Sequence, residues 1–340
     1  MICSTISGLP GVNAFKGTAP GFGLRREAKR HAALAGADEV FKSGVAAALQ
    51  SSLRFAPAGC HRGSKSRVLL ARERARIARA MLADCRFCAH DCRVNRLAGE
   101  NGLCHAGAEA RFFSAQIEVS DELELIPTFA VALSGCDLRC DFCITGASSW
   151  NPRAGAGFDT RAMAAKARAA LQGSARTIMV LGGEPTIHLP AALEFVSLLP
   201  ETAKLIWKTN AHGSAPAREL LDGMFDVWLA DFKFGNDACA QRLAKTPDYV
   251  RVVEENLLWA AGHSELIVRH LLMPKHVECC WQPVAEWLAA ALPGVKVNLR
   301  SGFWPAWHSA RHSDLRRTVS GPESARAVDL AQRLGLNLVP

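Results

Sequence analysis

From residue 125 onward, short apolar runs alternate with longer amphipathic stretches. Residues 129–133, 177–181, 204–210, 227–233, 265–274 and 295–300 are rich in Val, Ile, Leu, Phe and Trp and predict strands. Residues 189–199, 215–222, 249–261, 277–291 and 324–334 place apolar side chains at helical spacing and predict helices. Gly235, Asn236 and Asp237, just after the fourth run, make a good helix start. Strands alternating with helices of this length predict an α/β fold of βα units around a parallel sheet, roughly six units over residues 125–340. In such folds functional groups gather at the carboxyl ends of the strands. Asn210, Asp231, Lys233, Arg269, His270 and Arg300 fall there. Arg269 and His270 are neighbours on one strand, so only one of them can face inward. Asp231 and Lys233 suit either a site or an ion pair at a sheet edge.

The first 75 residues read differently. They are rich in Ala, Ser and Gly, with few large apolar residues before Val68. They hold twelve basic and four acidic residues, which accounts for the whole formal charge of +8. Residues 1–75 are therefore a basic leader, either disordered or resembling an organelle transit peptide, with one weak Ala-rich helix between Lys42 and Arg54. The rest of the chain is neutral overall, which argues against a nucleic-acid substrate. No apolar run is long enough to span a membrane. Twelve cysteines, clustered at metal spacings, point to a reducing compartment rather than a disulfide scaffold. The cytoplasm is the expected location, or an organelle matrix if the leader is a transit peptide.

The chemistry concentrates in two cysteine groups. Cys136, Cys140 and Cys143 are spaced C-x-x-x-C-x-x-C directly after the first apolar run. On a helix they would spread over roughly 10 Å, too far for one compact site. Gly135, Asp137, Arg139 and Asp141 favour a loop instead. Three thiolates leave a four-iron cluster with one open coordination position, which is a catalytic feature. Cys85, Cys88, Cys92 and Cys104 form the second group. Four thiolates close a site for zinc or an auxiliary iron–sulfur cluster, with His90 and His105 as substitute ligands. Residues 76–124 are thus a cysteine-rich metal-binding head ahead of the α/β region at 125–340. Cys239, Cys279 and Cys280 match no spacing rule, and adjacent cysteines do not easily ligate one ion, so these three read as ordinary residues. Cys3 and Cys60 lie in the leader.

A third signal follows the second apolar run, where Gly182, Gly183, Glu184 and Pro185 occupy a strand end. Two glycines there let the backbone approach a ligand closely and free its amides. Together these features resemble the radical S-adenosylmethionine (SAM) superfamily. The resemblance rests on the three-cysteine motif with Phe142 before its last Cys, and on the GGEP segment about forty residues later. It implies a partial (β/α)6 barrel of the TIM type with an N-terminal cysteine-rich extension. It implies that Cys136, Cys140 and Cys143 ligate a 4Fe-4S cluster and that SAM chelates the fourth iron. It also implies reductive cleavage of SAM to methionine and a 5′-deoxyadenosyl radical.

The resemblance also suggests cofactor contacts for Phe142, Gly182, Gly183, Glu184, Pro185, Asn210, Lys233 and Arg269. The head, with Val94, Arg96, Gly99 and Gly102 among its cysteines, resembles an uncharacterised branch related to the pyruvate formate-lyase activating enzyme. Ala89 and His90 stand where that branch often has Pro-Arg. Near the C-terminus, Phe303, Trp304 and Pro305 keep only the aromatic and the Pro of a Gln-Tyr-x-Pro element. Trp304 and Trp307 read as a cap on the barrel. The implied reaction is hydrogen abstraction from a protein glycine, another peptide or a small molecule, with flavodoxin or ferredoxin as reductant. The competing readings are a radical SAM enzyme that modifies RNA and a non-catalytic zinc or iron–sulfur interaction module.

Overall fold

The computed structural model describes residues 66–340 except Asp121. The expected leader helix and the cysteines at 3 and 60 lie outside the described residues. The described residues belong to one compact unit. Helix α1 (Arg67–Met81) runs straight through the expected boundary at residue 75. Its apolar side packs on a barrel helix. Charged residues crowd the exposed face of α1, and that made it read as leader.

Nine strands form one sheet in the order β3-β1-β2-β4-β5-β6-β7-β8-β9. Strand β2 (Thr128–Leu133), β4 (Thr177–Gly182), β5 (Lys204–Thr209), β6 (Val227–Asp231), β7 (Glu265–Leu271) and β8 (Lys296–Arg300) are parallel neighbours, and each begins within a residue or two of a predicted run. Strand β1 (Arg111–Glu118) pairs antiparallel with β2, and two-residue β3 (Ala156–Gly157) extends that edge. The sheet therefore starts inside the expected head. Two-residue β9 (Asn337–Leu338) closes the other edge against β8.

The connecting helices are α2 (Ala147–Trp150), α3 (Thr160–Gln172), α4 (Leu189–Val196), α5 (Ala215–Leu221), α6 (Asp237–Ala244), α7 (Tyr249–Ala261), α8 (Gln282–Ala291) and α9 (Gly321–Arg333). Helix α3 was not anticipated, because its many alanines blur the contrast between its faces. Asp159 caps it, accepting from the backbone N–H groups of Arg161 and Ala162. Asn236 caps α6 in the same way, as its sequence promised.

Alternation along the strands sorts the core into two layers. Met179, Ile206, Val227, Leu229 and Ile267 share one face with Leu125 and fill the barrel interior. Their neighbours Val180, Trp207, Trp228 and Val268 face the surrounding helices. Burying such side chains stabilises the fold by about 1.5–3 kcal/mol each. The same parity carries Lys208, Asp231 and Arg269 onto the inner face, beyond the apolar layer and at the carboxyl ends of their strands. No helix among the described residues is long and apolar enough to cross a membrane.

Candidate active site around the three-cysteine loop

Strand β2 delivers the chain to Gly135, which turns with φ +88°. A side chain there would meet Pro152 at 2.7 Å, so glycine is required for both conformation and space. The loop that follows is tied down by the polar residues between its cysteines. Arg139 and Asp141 donate backbone N–H bonds to the carbonyls of Ala244 (3.0 Å) and Leu243 (2.9 Å), at the end of α6. The Arg139 guanidinium reaches the carbonyls of Trp150 (2.7 Å) and Leu103 (2.6 Å). Lys245 Nζ and His312 Nε2 donate to the Asp141 carboxylate at 2.9 and 2.7 Å.

Asp137 is fully buried and fixes the first turn. Its Oδ1 accepts from Asn210 Nδ2 (2.7 Å), its Oδ2 from His212 Nδ1 (2.9 Å), and its carbonyl from His90 Nε2 (3.1 Å). Burial alone would raise the carboxyl, but His212, His90 and Asn210 outweigh it and hold it below the usual carboxylate range.

All three cysteines are free, with Cys136 and Cys140 buried and Cys143 half-buried. Burial pushes the Cys136 thiol well up, and Asp137 and the neighbouring thiols push it further. The Cys140 thiol is pushed up to about 12 by burial, with Lys233 pulling the other way. For Cys136 and Cys140 burial thus disfavours the thiolate, which a bound cation would favour. Three unoxidised thiols on one buried polar loop are the donor set that an iron–sulfur cluster needs.

The GGEP turn packs directly against this loop. Gly183 and Glu184 donate backbone N–H bonds to the carbonyls of Leu133 and Gly135, both at 2.9 Å. A Cβ on Gly183 would lie 1.9 Å from the Gly135 oxygen, and one on Gly182 would lie 2.2 Å from the Leu133 oxygen. The glycines are there for this close approach. Glu184 is buried, and its carboxylate turns into the protein. Oε1 accepts from Thr186 N (3.0 Å), Thr186 Oγ1 (2.5 Å) and Thr209 Oγ1 (2.8 Å), while Oε2 accepts from Asn210 N (2.7 Å). Burial and then Asp137 raise this carboxyl to about 7. Where sequence suggested ligand contacts, Glu184 and Asn210 spend their side chains bracing the GGEP turn and the cysteine loop. Pro185 starts the short turn Pro185–His188 that continues this brace.

The remaining expected residues divide cleanly. Phe142 is buried against Phe234 and Phe303, with ring centroids 6.0 and 6.2 Å away. Lys233 is ion-paired to Asp231, and both bear on the acidity of Cys140. Arg269 faces inward, with Nε 3.0 Å from Glu122 Oε1 and 3.7 Å from Asp231 Oδ1. His270 faces the opposite side, donating from Nδ1 to the Phe232 carbonyl at 2.7 Å, and burial lowers its pKa to about 4. The two neighbours thus face opposite sides, as alternation along a strand requires.

The head docks on the loop after β5. Ala89 donates to the His212 carbonyl and Ser214 to the Phe87 carbonyl, both at 3.0 Å. Arg96 is buried and binds the carbonyls of Gly107 (3.0 Å) and Ile187 (2.8 Å), stitching the head to the GGEP turn. Burial raises the thiols of Cys88 and Cys104, and the cysteines of this group add to it, Cys104 and Cys92 acting on Cys88 and Cys85 on Cys104. The Asp137 charge raises both thiols as well. His90, a candidate substitute ligand, instead serves the Asp137 turn.

The tail folds over the cysteine loop. Trp307 lies on Gly146 and near Trp150, with centroids 5.9 Å apart, while Trp304 is exposed. His308 donates its N–H to the Asp141 carbonyl at 2.7 Å. Sequence reasoning missed His212, Lys245 and His312, whose partners lie far away in the chain. It also passed over Cys239, Cys279 and Cys280, which the fold gathers around His276.

Residues 131–288 match the radical SAM superfamily. Over 273 residues the chain is 29% identical to an uncharacterized protein of Methanocaldococcus jannaschii, covering 77% of this chain and 78% of that one. Among solved structures it is similar to SuiB of Streptococcus suis bound to S-adenosylmethionine, at 12% identity and TM-score 0.47 over 60% of this chain. That match spans 47% of SuiB, so this chain covers less than half of it. It is also similar to a domain of pyruvate-formate lyase-activating enzyme from Bacteroides vulgatus, at 17% identity and TM-score 0.38 over 48% of this chain and 97% of that domain. The chain carries a radical SAM superfamily domain, and the cofactors of that superfamily are a 4Fe-4S cluster and SAM.

Proposed function

We propose that Cys136, Cys140 and Cys143 hold the 4Fe-4S cluster and that the adjoining barrel mouth binds SAM. The observation that carries this reading is the contact between the GGEP turn and the cysteine loop, with no room for a Cβ between Gly183 and the Gly135 carbonyl. The three-cysteine loop and the glycine turn are thereby locked against each other. When bound there, a reduced 4Fe-4S cluster would supply the electron for reductive cleavage of SAM.

The chain's own residues bind, orient and exclude water. Gly182, Gly183 and Pro185 offer backbone to the cofactor, while Glu184 and Asn210 hold that backbone in place. Lys233 and Arg269 set positive charge on the inner face, balanced by Asp231 and Glu122. Phe142 and Phe303 wall the loop from solvent. The finer reading is hydrogen abstraction from a polypeptide glycine, as an activating enzyme performs it. It rests on the resemblance of the cysteine-rich head. Cys85, Cys88, Cys92 and Cys104 would hold an auxiliary cluster or zinc, and a flavodoxin- or ferredoxin-type protein would deliver the electron.

Anaerobic reconstitution with iron and sulfide, followed by reduction and EPR, tests the cofactor assignment. SAM is expected to change the cluster signal of the parent. Cys136→Ala, Cys140→Ala and Cys143→Ala are each expected to lose that SAM-responsive signal. An unchanged response in all three would refute the assignment. For the glycine step, a peptide deuterated at the glycine α-carbon is expected to pass deuterium into 5′-deoxyadenosine. Transfer from none of a panel of glycine peptides would reject the polypeptide reading.

A further inference from the structure

Away from the three-cysteine loop, the fold assembles a separate set of soft donors. Cys239 lies in the first turn of α6, after β6. His276, Cys279 and Cys280 follow β7, where the chain makes one turn of π-helix over Val277–Trp281 before α8. Such turns are rare and recur at functional sites, because the extra residue re-aims side chains. Here the turn brings the adjacent Cys279 and Cys280 sulfurs to 3.9 Å of each other. Adjacency, which argued against shared ligation on sequence grounds, is thereby overcome.

The distances have a definite meaning. Cys239 Sγ is 4.0 Å from Cys279 Sγ. His276 Nδ1 lies 3.2 Å from Cys280 Sγ, 3.4 Å from Cys279 Sγ and 3.8 Å from Cys239 Sγ. All four donor atoms lie within 4.8 Å of one another. Tetrahedral zinc, with bonds of about 2.3 Å to sulfur and about 2.0–2.1 Å to nitrogen, sets sulfurs about 3.8 Å apart and sulfur and nitrogen about 3.6 Å apart. The four atoms therefore stand near the corners of one zinc tetrahedron. The cysteines are free, so no disulfide explains the gathering.

The surroundings suit a metal. His276 Nε2 donates to Asp314 Oδ2 at 3.0 Å, which leaves the Nδ1 lone pair aimed at the sulfurs. A carboxylate that orients a ligating histidine in this way is the usual outer support of a zinc site. Arg242 binds the same carboxylate at 2.6 Å. Asn236 Nδ2 donates towards Cys239 Sγ at 3.4 Å. A Cβ on Gly235 would lie 2.3 Å from the Cys280 carbonyl oxygen, so only glycine lets the two segments close together.

We propose that Cys239, His276, Cys279 and Cys280 bind one zinc ion. Three thiolates and one imidazole fill the coordination shell, so the site is structural. It would pin the loop after β7 to α6, the helix whose last carbonyls, Leu243 and Ala244, hold the backbone of the cysteine loop. This inference stands independently of the proposed function.

The test uses the full chain purified anaerobically. Cys279 is exposed. Site-resolved alkylation with N-ethylmaleimide, read by peptide mass spectrometry, is expected to spare Cys239 and Cys279 until a zinc chelator is added. Immediate alkylation of Cys279 overturns the proposal. So does protection that persists after chelation and yields only to a reductant, since that marks a disulfide. In parallel, the Cys239→Ser/Cys279→Ser double variant, with folding checked by circular dichroism, is expected to carry one zinc fewer per chain than the parent. Equal zinc in both overturns it. The alkylation measurement needs no variant and so decides the matter even if the double variant fails to fold.

Discussion

Glu184 shows how a motif residue can matter without touching a ligand. Four donors converge on its buried carboxylate, from Thr186, Thr209 and Asn210. Glu184→Ala strands all of them, and each unsatisfied buried group costs about 1–3 kcal/mol. The variant is expected to lose at least about 3 kcal/mol of stability in denaturant titration. A loss below 1 kcal/mol would mean that the brace is dispensable. Gly183→Ala is expected to prevent cluster incorporation outright, because its methyl has no room beside the Gly135 carbonyl. Iron analysis after reconstitution checks this, and full occupancy would contradict the close-approach account. At this scale the sequence displays the cysteine spacing, which is local, and hides the residues that brace the loop. Asp137 with His212, and Asp141 with His312, are pairs joined only by the tertiary fold. The convergence of Cys279 and Cys280 was illegible for a related reason, since the π-turn that brings them together has no spacing signature.

Elements were far more readable. Continuous apolar runs marked the parallel strands and bounded them to within a residue or two at their starts. Helix α7 was bounded at both ends. The missed elements include Ala-rich α3 and charge-studded α1, whose contrast is weak, and β1 inside the expected head. The tail between β8 and α9 acts as a clamp on the cysteine loop through His308 and His312. His312→Ala removes one of the donors to Asp141 and is expected to speed iron loss to a chelator several-fold while leaving the circular dichroism spectrum intact. Unchanged iron release would show that the clamp carries no strain from the loop. The same helix, α6, receives the loop backbone at its end and Cys239 at its start, so the two regions communicate through one rigid element.

For the whole molecule, the barrel, its head and its tail close on a single loop. Its pH response follows from groups buried far from solvent. Burial lowers the pKa of His188 and of His270 to about 4, against an ordinary 6.5. Each folded imidazole takes up a proton less readily than the unfolded one. Their contribution is therefore complete above about pH 6.5 and is lost as pH falls from there towards 4, by up to about 3 kcal/mol each. Denaturant titrations at pH 7 and pH 4.5 are expected to show a larger drop for the parent than for His188→Gln/His270→Gln. Equal drops would contradict the burial account. The basic excess outside the neutral barrel region gives no reason to expect RNA affinity in that region.

The central claim is that Cys136, Cys140 and Cys143 support reductive SAM cleavage. Its most direct measurement is 5′-deoxyadenosine, quantified after the anaerobically reconstituted and reduced chain is incubated with SAM. The parent is expected to form it over time, and the variant with all three cysteines changed to Ala to form none. A parent that carries an EPR-visible 4Fe-4S cluster yet forms no 5′-deoxyadenosine, or a triple variant that matches the parent, would contradict the account.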